Sequence, residues 1–197
     1  MIMDDNFLTE KEILDLQNLM YADPNSRFPW FYASSTNEDK KDGGVIDDSK
    51  AKDSPQFVHL GMINGEKLSP FAEEGINLLT KFCQKNNIKV ENIIRIKSNL
   101  ITKDQDNKEY HLPHIDFDSP HLVFLYYVNN SDGDTVFFNE RYSSWGKFDS
   151  DTIHTAGRVS PKAGRAVVFD GLQYHASSSP QDHNFRCVIN INFTGKI

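Results

Sequence analysis

From Asn92 to Phe193 the chain alternates short apolar runs with turn signals, and that rhythm constrains the fold more than any other feature. Ile94-Arg95-Ile96-Lys97-Ser98-Asn99-Leu100 alternates at period two, the pattern of a half-buried strand. Further runs follow at Tyr110–Asp116, His121–Asn129, Asp134–Asn139, Thr152–Val159, Arg165–Asp170, Tyr174–Ser177 and Phe185–Phe193. Between them lie Lys103-Asp104-Gln105-Asp106-Asn107, Asn130-Ser131-Asp132-Gly133, Pro161-Lys162-Ala163-Gly164 and Ser178-Ser179-Pro180, all rich in turn formers. Eight short strands with turns at intervals of roughly 8–12 residues predict a β-sandwich or an open barrel.

Two helices are predicted ahead of the strands. In Phe7–Tyr21, Leu8, Ile13, Leu16, Leu19 and Met20 fall near helical spacing. Thr9 followed by Glu12 has the spacing of a capping box, and Pro24 and Pro29 end the element. In Ser69–Asn87, Phe71, Ile76, Leu79 and Phe82 form the apolar stripe. The stretch 34–55 is almost devoid of apolar residues and reads as a flexible solvated loop, or as a lid over a site. With 197 residues, one domain is expected. Residues 1–91 would form a helical support, and 92–194 a β core packed on two or three helices.

Composition narrows the partners. The 21 Lys and Arg stand against 28 Asp and Glu, a net charge of −7, which disfavours nucleic acid and anionic membranes. Cys83 and Cys187 are too few for a disulfide framework, so a reducing compartment is the default. No run approaches the roughly 20 apolar residues of a membrane span. The opening Met1-Ile2-Met3-Asp4-Asp5 lacks the order of a signal peptide. A cytoplasmic protein is expected. Fourteen Phe and seven Tyr in a hydrophilic chain imply that the rings are segregated into the β core, while the loops carry the polarity.

Three places could carry chemistry. In a strand, His114 and Asp116 would point to one face, so an imidazole and a carboxylate could meet on one metal ion. His175 follows 59 residues after Asp116, far enough for several strands to intervene. Two His and one carboxylate with open positions make the facial triad of non-heme Fe(II) oxygenases. Arg186 lies 11 residues further on and opens an apolar strand, where its charge needs a partner such as a ligand carboxylate. Taken singly, each has a plainer reading: a satisfied histidine, a loop carboxylate, a salt-bridged edge arginine. Asp118 shares parity with Asp116 and is an alternative ligand, and His111 sits close by. His121, His154 and His183 read as surface or packing residues, while Asp170 and Tyr174 flank His175.

The ordered set His114-Ile115-Asp116, His121–Asn129, Gly133–Phe138, Pro161–Phe169, His175 and Arg186 resembles the 2-oxoglutarate- and Fe(II)-dependent oxygenases, in their prolyl-4-hydroxylase-like branch. The helix at Phe7–Tyr21, Phe57–Leu60 and Arg95–Leu100 are also similar to small members carried by marine bacteria and phages, which would put a phage-encoded copy in the host cytoplasm. The resemblance implies a double-stranded β-helix, a jelly-roll and cupin-like core of about eight strands. It implies Fe(II) on His114, Asp116 and His175, and 2-oxoglutarate with its distal carboxylate on Arg186 and the Tyr127 hydroxyl. It further implies O2 as co-reactant, ascorbate as a supporting reductant, and hydroxylation of a C–H bond in a peptide or small molecule, a peptidyl proline or another amino-acid side chain among them. Strand parity puts Tyr127 with Val123 and Leu125, and Tyr126 opposite. Two departures stand out. Gly133-Asp134 replaces a common Gly-Gly, and Arg186 replaces the Lys of many prolyl hydroxylases, which leaves prolyl specificity unsupported. A non-catalytic or cupin-like metal-binding domain and a nucleic-acid demethylase of the same superfamily are the competing readings. Substrate recognition would fall to loops 25–55, 102–109 and 140–151, the last with Arg141, Tyr142 and Trp145.

Overall fold

The computed structural model describes residues 1–36, 53–104, 108–143 and 152–197. The strands are β1 (Ile2–Asp4), β2 (Phe31–Ala33), β3 (Gln56–Ile63), β4 (Glu66–Lys67), β5 (Lys89–Thr102), β6 (Leu122–Tyr127), β7 (Thr135–Arg141), β8 (Thr155–Val159), β9 (Ala166–Asp170), β10 (Gln173–Ser177) and β11 (Phe185–Lys196). The helices are α1 (Glu10–Gln17), continued by a π-helical turn over Asn18–Ala22, and α2 (Phe71–Lys85). The Thr9 side chain caps the Glu12 amide while Glu12 accepts from the Thr9 backbone, the reciprocal box expected from the spacing.

Antiparallel pairing builds two sheets. The larger runs β1-β9-β6-β11-β5-β3-β2, with β4 also on β3, and the smaller runs β10-β7-β8. The face between them is dry: Val123, Leu125, Tyr127, Val167, Phe169 and Val188 pack on Phe137, with Val159 at the margin. Phe124, Tyr126, Val168, Ile189, Ile191 and Phe193 point to the other face of the large sheet, against Phe7, Leu16, Met20, Leu79 and Phe82. Tyr126 and Tyr127 thus lie on opposite faces, as alternation requires. Helix α2 approaches closely because it carries Gly75, where a Cβ would stand 2.6 Å from Ile96 Cγ2. Core burial on both faces of one sheet gives Phe124, Tyr126, Tyr127, Phe169 and Phe193 their buried places on β6, β9 and β11.

Two expectations change. The first 91 residues supply β1–β4 as well as the two helices, and β3 sits beside β5 inside the large sheet. Strands of two or three residues show no periodicity, so β1, β2 and β4 are invisible to pattern reading. The run Tyr110–Asp116 is not a continuous strand. It bonds to β10 at the His114–His175 bridge and through the His111 amide, which donates to the Ser177 carbonyl at 2.7 Å, and covers that sheet's outer face with Tyr110 and Ile115. Among the described residues no helix is long and apolar enough to cross a membrane. Most of the loop expected over 34–55 lies outside the described residues, as does residue 145.

Candidate metal centre

The His114–His175 bridge assembles the site. His114 and His175 exchange backbone hydrogen bonds in both directions, at 2.9 and 3.0 Å. Residues directly opposite in an antiparallel pair project to the same side. Their rings therefore stand together, with centroids 4.6 Å apart, and Phe169 packs edge-on against His175. Asp116 follows two residues after His114. One ligand atom from each of His114, Asp116 and His175 lies within 4.8 Å of the others.

The hydrogen bonds set the state of each ligand. His114 Nδ1 lies 3.0 Å from the Leu112 carbonyl, and His175 Nδ1 lies 3.1 Å from the Gln173 carbonyl. A carbonyl can only accept, so each Nδ1 carries a proton, and Nε2 is the ring nitrogen through which each histidine would bind a metal. Asp116 is held from two sides. Arg95 donates to Oδ1 at 2.8 Å, while Asn190 and Asn192 donate to Oδ2 at 3.1 and 2.9 Å. Arg95 is itself fixed by Asn192 Oδ1 and lies over the Phe117 ring. Two imidazoles and one oriented carboxylate whose ligand atoms converge are a donor set that suits divalent iron.

A buried cation faces the same cleft. Arg186 is 3% exposed and donates to Thr135 Oγ1 at 2.8 Å, while its Nε has no partner. Among the described residues it has no carboxylate within ion-pairing distance. Burial pushes its pKa below the usual guanidinium value. An uncompensated charge in such a place is expensive unless a ligand supplies the counter-charge. The cleft wall includes His114, Asp116, His175, Arg95, Thr135 and Arg186.

Other expected residues fall elsewhere. Tyr127 does not line the cleft. Its hydroxyl donates to Thr135 Oγ1 at 2.7 Å, so it stands behind the threonine that Arg186 also uses. Arg141 pairs with Asp170 at 2.7 Å at the rim of the small sheet, and Tyr142 packs with its outer cluster. Tyr174 is buried there too, and none of these four lines the cleft. Trp145 lies outside the described residues. His111 is held between Ser177 and Ser179, and His154 and His183 bond to Glu140 and Asp132. Asp118 is exposed. Pattern reading missed Arg95, Thr135, Asn190 and Asn192. Their only sequence signal is a polar residue at every second place of a strand, which equally describes a solvent face.

No family model and no curated protein matches the sequence. Solved structures do match the fold. An oxidoreductase of the 2OG-Fe(II) oxygenase family from Burkholderia pseudomallei aligns with a TM-score of 0.64 at 15% identity, covering 98% of this chain and 84% of that one. The fold is that of the 2OG-Fe(II) oxygenases. HygX from Streptomyces hygroscopicus, solved with nickel and 2-oxoglutarate, aligns at 0.59 and 11% identity over 98% and 82% of the two chains. A Pseudomonas putida prolyl-4-hydroxylase aligns at 0.52 and 13% over 98% and 91%. The double-stranded β-helix expected from the sequence is the fold that these oxygenases share with this chain.

Proposed function

We propose that this chain is a 2-oxoglutarate- and Fe(II)-dependent dioxygenase that hydroxylates a C–H bond. One observation carries the reading: a two-His, one-carboxylate set and a buried arginine with no ion pair among the described residues face one cleft. His114, Asp116 and His175 would hold the iron, and Arg186 the distal carboxylate of 2-oxoglutarate. When bound, the two supply the oxidation: O2 is consumed, 2-oxoglutarate becomes succinate and CO2, and the second oxygen atom enters the substrate C–H bond.

The protein's residues bind, orient and exclude water. The Nδ1–H bonds to backbone carbonyls lock the imidazole tautomers, and Arg95, Asn190 and Asn192 keep the Asp116 carboxylate aimed. The Arg186 guanidinium, desolvated beforehand, gains more from an entering carboxylate than a hydrated one would. Thr135, pinned by Tyr127, fixes the guanidinium in place, and the Tyr127 ring lies 5.7 Å from the guanidinium carbon. The branch likeness supports an amino-acid side chain as acceptor, in a peptide or a small metabolite. Two cysteines in 197 residues, both buried, are too few for a disulfide framework and fit a cytoplasmic setting.

The test is aerobic turnover with Fe(II), 2-oxoglutarate and ascorbate, with calorimetry of each ligand. His175→Ala should lose metal binding, and Arg186→Ala should lose 2-oxoglutarate binding while keeping metal. A protein that binds no 2-oxoglutarate and forms no succinate with any substrate mixture is not this enzyme. A mass-spectrometric search for gain of one oxygen atom then identifies the acceptor.

A further inference from the structure

Arg186 lies beside two connections that are hydrogen-bonded to each other along their length. The first, 128–134, joins β6 to β7, and the second, 178–184, joins β10 to β11. Asp132 Oδ2 accepts from the Gln181 and Asp182 amides, both at 2.8 Å. Its Oδ1 accepts from the His183 amide at 3.1 Å and lies 2.9 Å from His183 Nδ1. The Asp134 carbonyl accepts from the Ser178 amide and hydroxyl at 2.9 and 3.1 Å. Asn129 brackets the arginine itself: Nδ2 donates to the Phe185 carbonyl at 2.9 Å, and Oδ1 accepts from the Cys187 amide at 2.8 Å.

Both connections are also tied to their surroundings. The Ser131 amide donates to the Pro161 carbonyl at 3.3 Å, and Asn130 Oδ1 accepts from the Ala163 amide at 2.8 Å. Just past β5, the Lys103 amide donates to the Asn184 carbonyl at 2.8 Å. Gly133 fills the space between the two connections and the arginine. A Cβ there would meet the Ser178 carbonyl oxygen at 2.6 Å, the Pro180 nitrogen at 3.0 Å and Arg186 Cδ at 3.2 Å. The arginine stem therefore has backbone directly against it, and it cannot move that way without parting the two connections. Charge-assisted bonds are roughly twice as strong as neutral ones. Three backbone amides on one carboxylate make Asp132 the strongest tie in this seam.

A 2-oxo diacid lying in the cleft is held at both ends, by the metal ligands' ion at its 2-oxo acid end and by Arg186 at its distal carboxylate. One further methylene lengthens an extended chain by about 1.2 Å. An arginine that cannot move back excludes the longer acid, and one on a loosened seam admits it. Resting on the oxygenase reading, we propose that Asp132 is a positioning residue for the cosubstrate. By tying 178–184 to the Gly133 turn it fixes the depth at which Arg186 meets the distal carboxylate, and so sets the length of diacid that the cleft accepts. Asp132 acts through the backbone of 181–183 and of Gly133, without touching the diacid.

The test uses the full chain with saturating Mn(II) and calorimetric titrations of 2-oxoglutarate and of 2-oxoadipate, its homologue with one more methylene. The wild type should bind 2-oxoglutarate about tenfold or more tighter than 2-oxoadipate. Asp132→Asn keeps the shape but loses the charge and one accepting oxygen, so that ratio should fall about threefold or more. Asp132→Ala should lower it further. His183→Asn removes the ring contact and leaves the three amide bonds, so it should keep the wild-type ratio. Mn(II) affinity without diacid should stay that of the wild type in all three variants. A wild type that binds the two acids equally, or an Asp132→Ala protein with the wild-type ratio, would overturn the assignment. So would an Asp132→Asn protein that weakens both acids and Mn(II) by one factor, the signature of a general loss of fold. Should Asp132→Ala fail to fold, the ratio in Asp132→Asn decides. A wild type that binds neither Mn(II) nor 2-oxoglutarate would overturn the oxygenase reading itself.

Discussion

Arg95 and Asp116 form an ion pair at 2.8 Å with side chains 8% and 2% exposed, and Asp116 is also one of three converging metal-ligand candidates. The guanidinium thus neutralises a buried carboxylate that a dication would otherwise have to neutralise. Removing one partner of a buried pair leaves an uncompensated charge, at a cost of about 3–5 kcal/mol. Arg95→Ala should lower the melting temperature of the metal-free protein by roughly 10 °C. Saturating Mn(II) should recover more of that loss than it adds to the wild type, because the ion replaces the lost charge. Scanning calorimetry with and without Mn(II) checks both. Asn192→Ala keeps the charge balance and removes one orienting donor, so it should weaken metal binding about tenfold or more.

Arg186 presents the opposite case, a buried charge that bonds Thr135 beside the Tyr127 ring and, among the described residues, has no carboxylate within ion-pair distance. Its burial is a cost to the ligand-free fold that an apolar chain of similar length would not carry. Arg186→Met should leave the melting temperature of the ligand-free protein equal to or above wild type, and should abolish 2-oxoglutarate binding in calorimetry. A clear fall in melting temperature would mean that Arg186 serves the fold and not a ligand.

Gly133 closes the turn beside this arginine. A Cβ there would lie 2.6 Å from the Ser178 carbonyl oxygen and 3.2 Å from Arg186 Cδ. The first neighbour is backbone and cannot rotate away. Gly133→Ala should destabilise by about 1–3 kcal/mol and raise the dissociation constant for 2-oxoglutarate, with the Mn(II) titration much less affected because the added methyl meets Arg186 and the Ser178 backbone and none of the three ligand side chains. Paired calorimetric titrations separate the two effects.

These residues also show what pattern reading can see. His114, Asp116, His175 and Arg186 are legible because rare residue types interrupt apolar strands in a telling order. Their convergence rests on more than the strand face expected for His114 and Asp116: the bridge between His114 and His175 brings the two rings together. Arg95, Asn190 and Asn192 are illegible because period two reports that a face is polar and not whether it meets solvent or a cleft. Short strands such as β1 owe their existence to the β9 edge that accepts them, information that no local window contains.

That edge supplies the last prediction. β1 pairs with β9, Asp4 opposite Ala166, and Asp5 then clamps Arg165 through two bonds of 2.7 and 2.9 Å, with Lys162 at 3.2 Å. The Arg165 hydrogen bonds hold the Asp5 carboxyl down to about 2, against an ordinary value of 3.8. A carboxyl whose pKa is depressed on folding contributes stability above its unfolded value and loses it as pH falls through its folded value. The clamp is therefore complete above pH 4 and is lost between about pH 4 and 2. The pair is partly open to solvent, which limits its contribution to about 1 kcal/mol. Asp5→Asn should lower stability by that amount at pH 7 and flatten the stability profile between pH 4 and 2, where the wild-type and variant curves should converge. Urea unfolding at a series of pH values measures it. A constant gap down to pH 2 would show that the clamp acts through shape and not through charge.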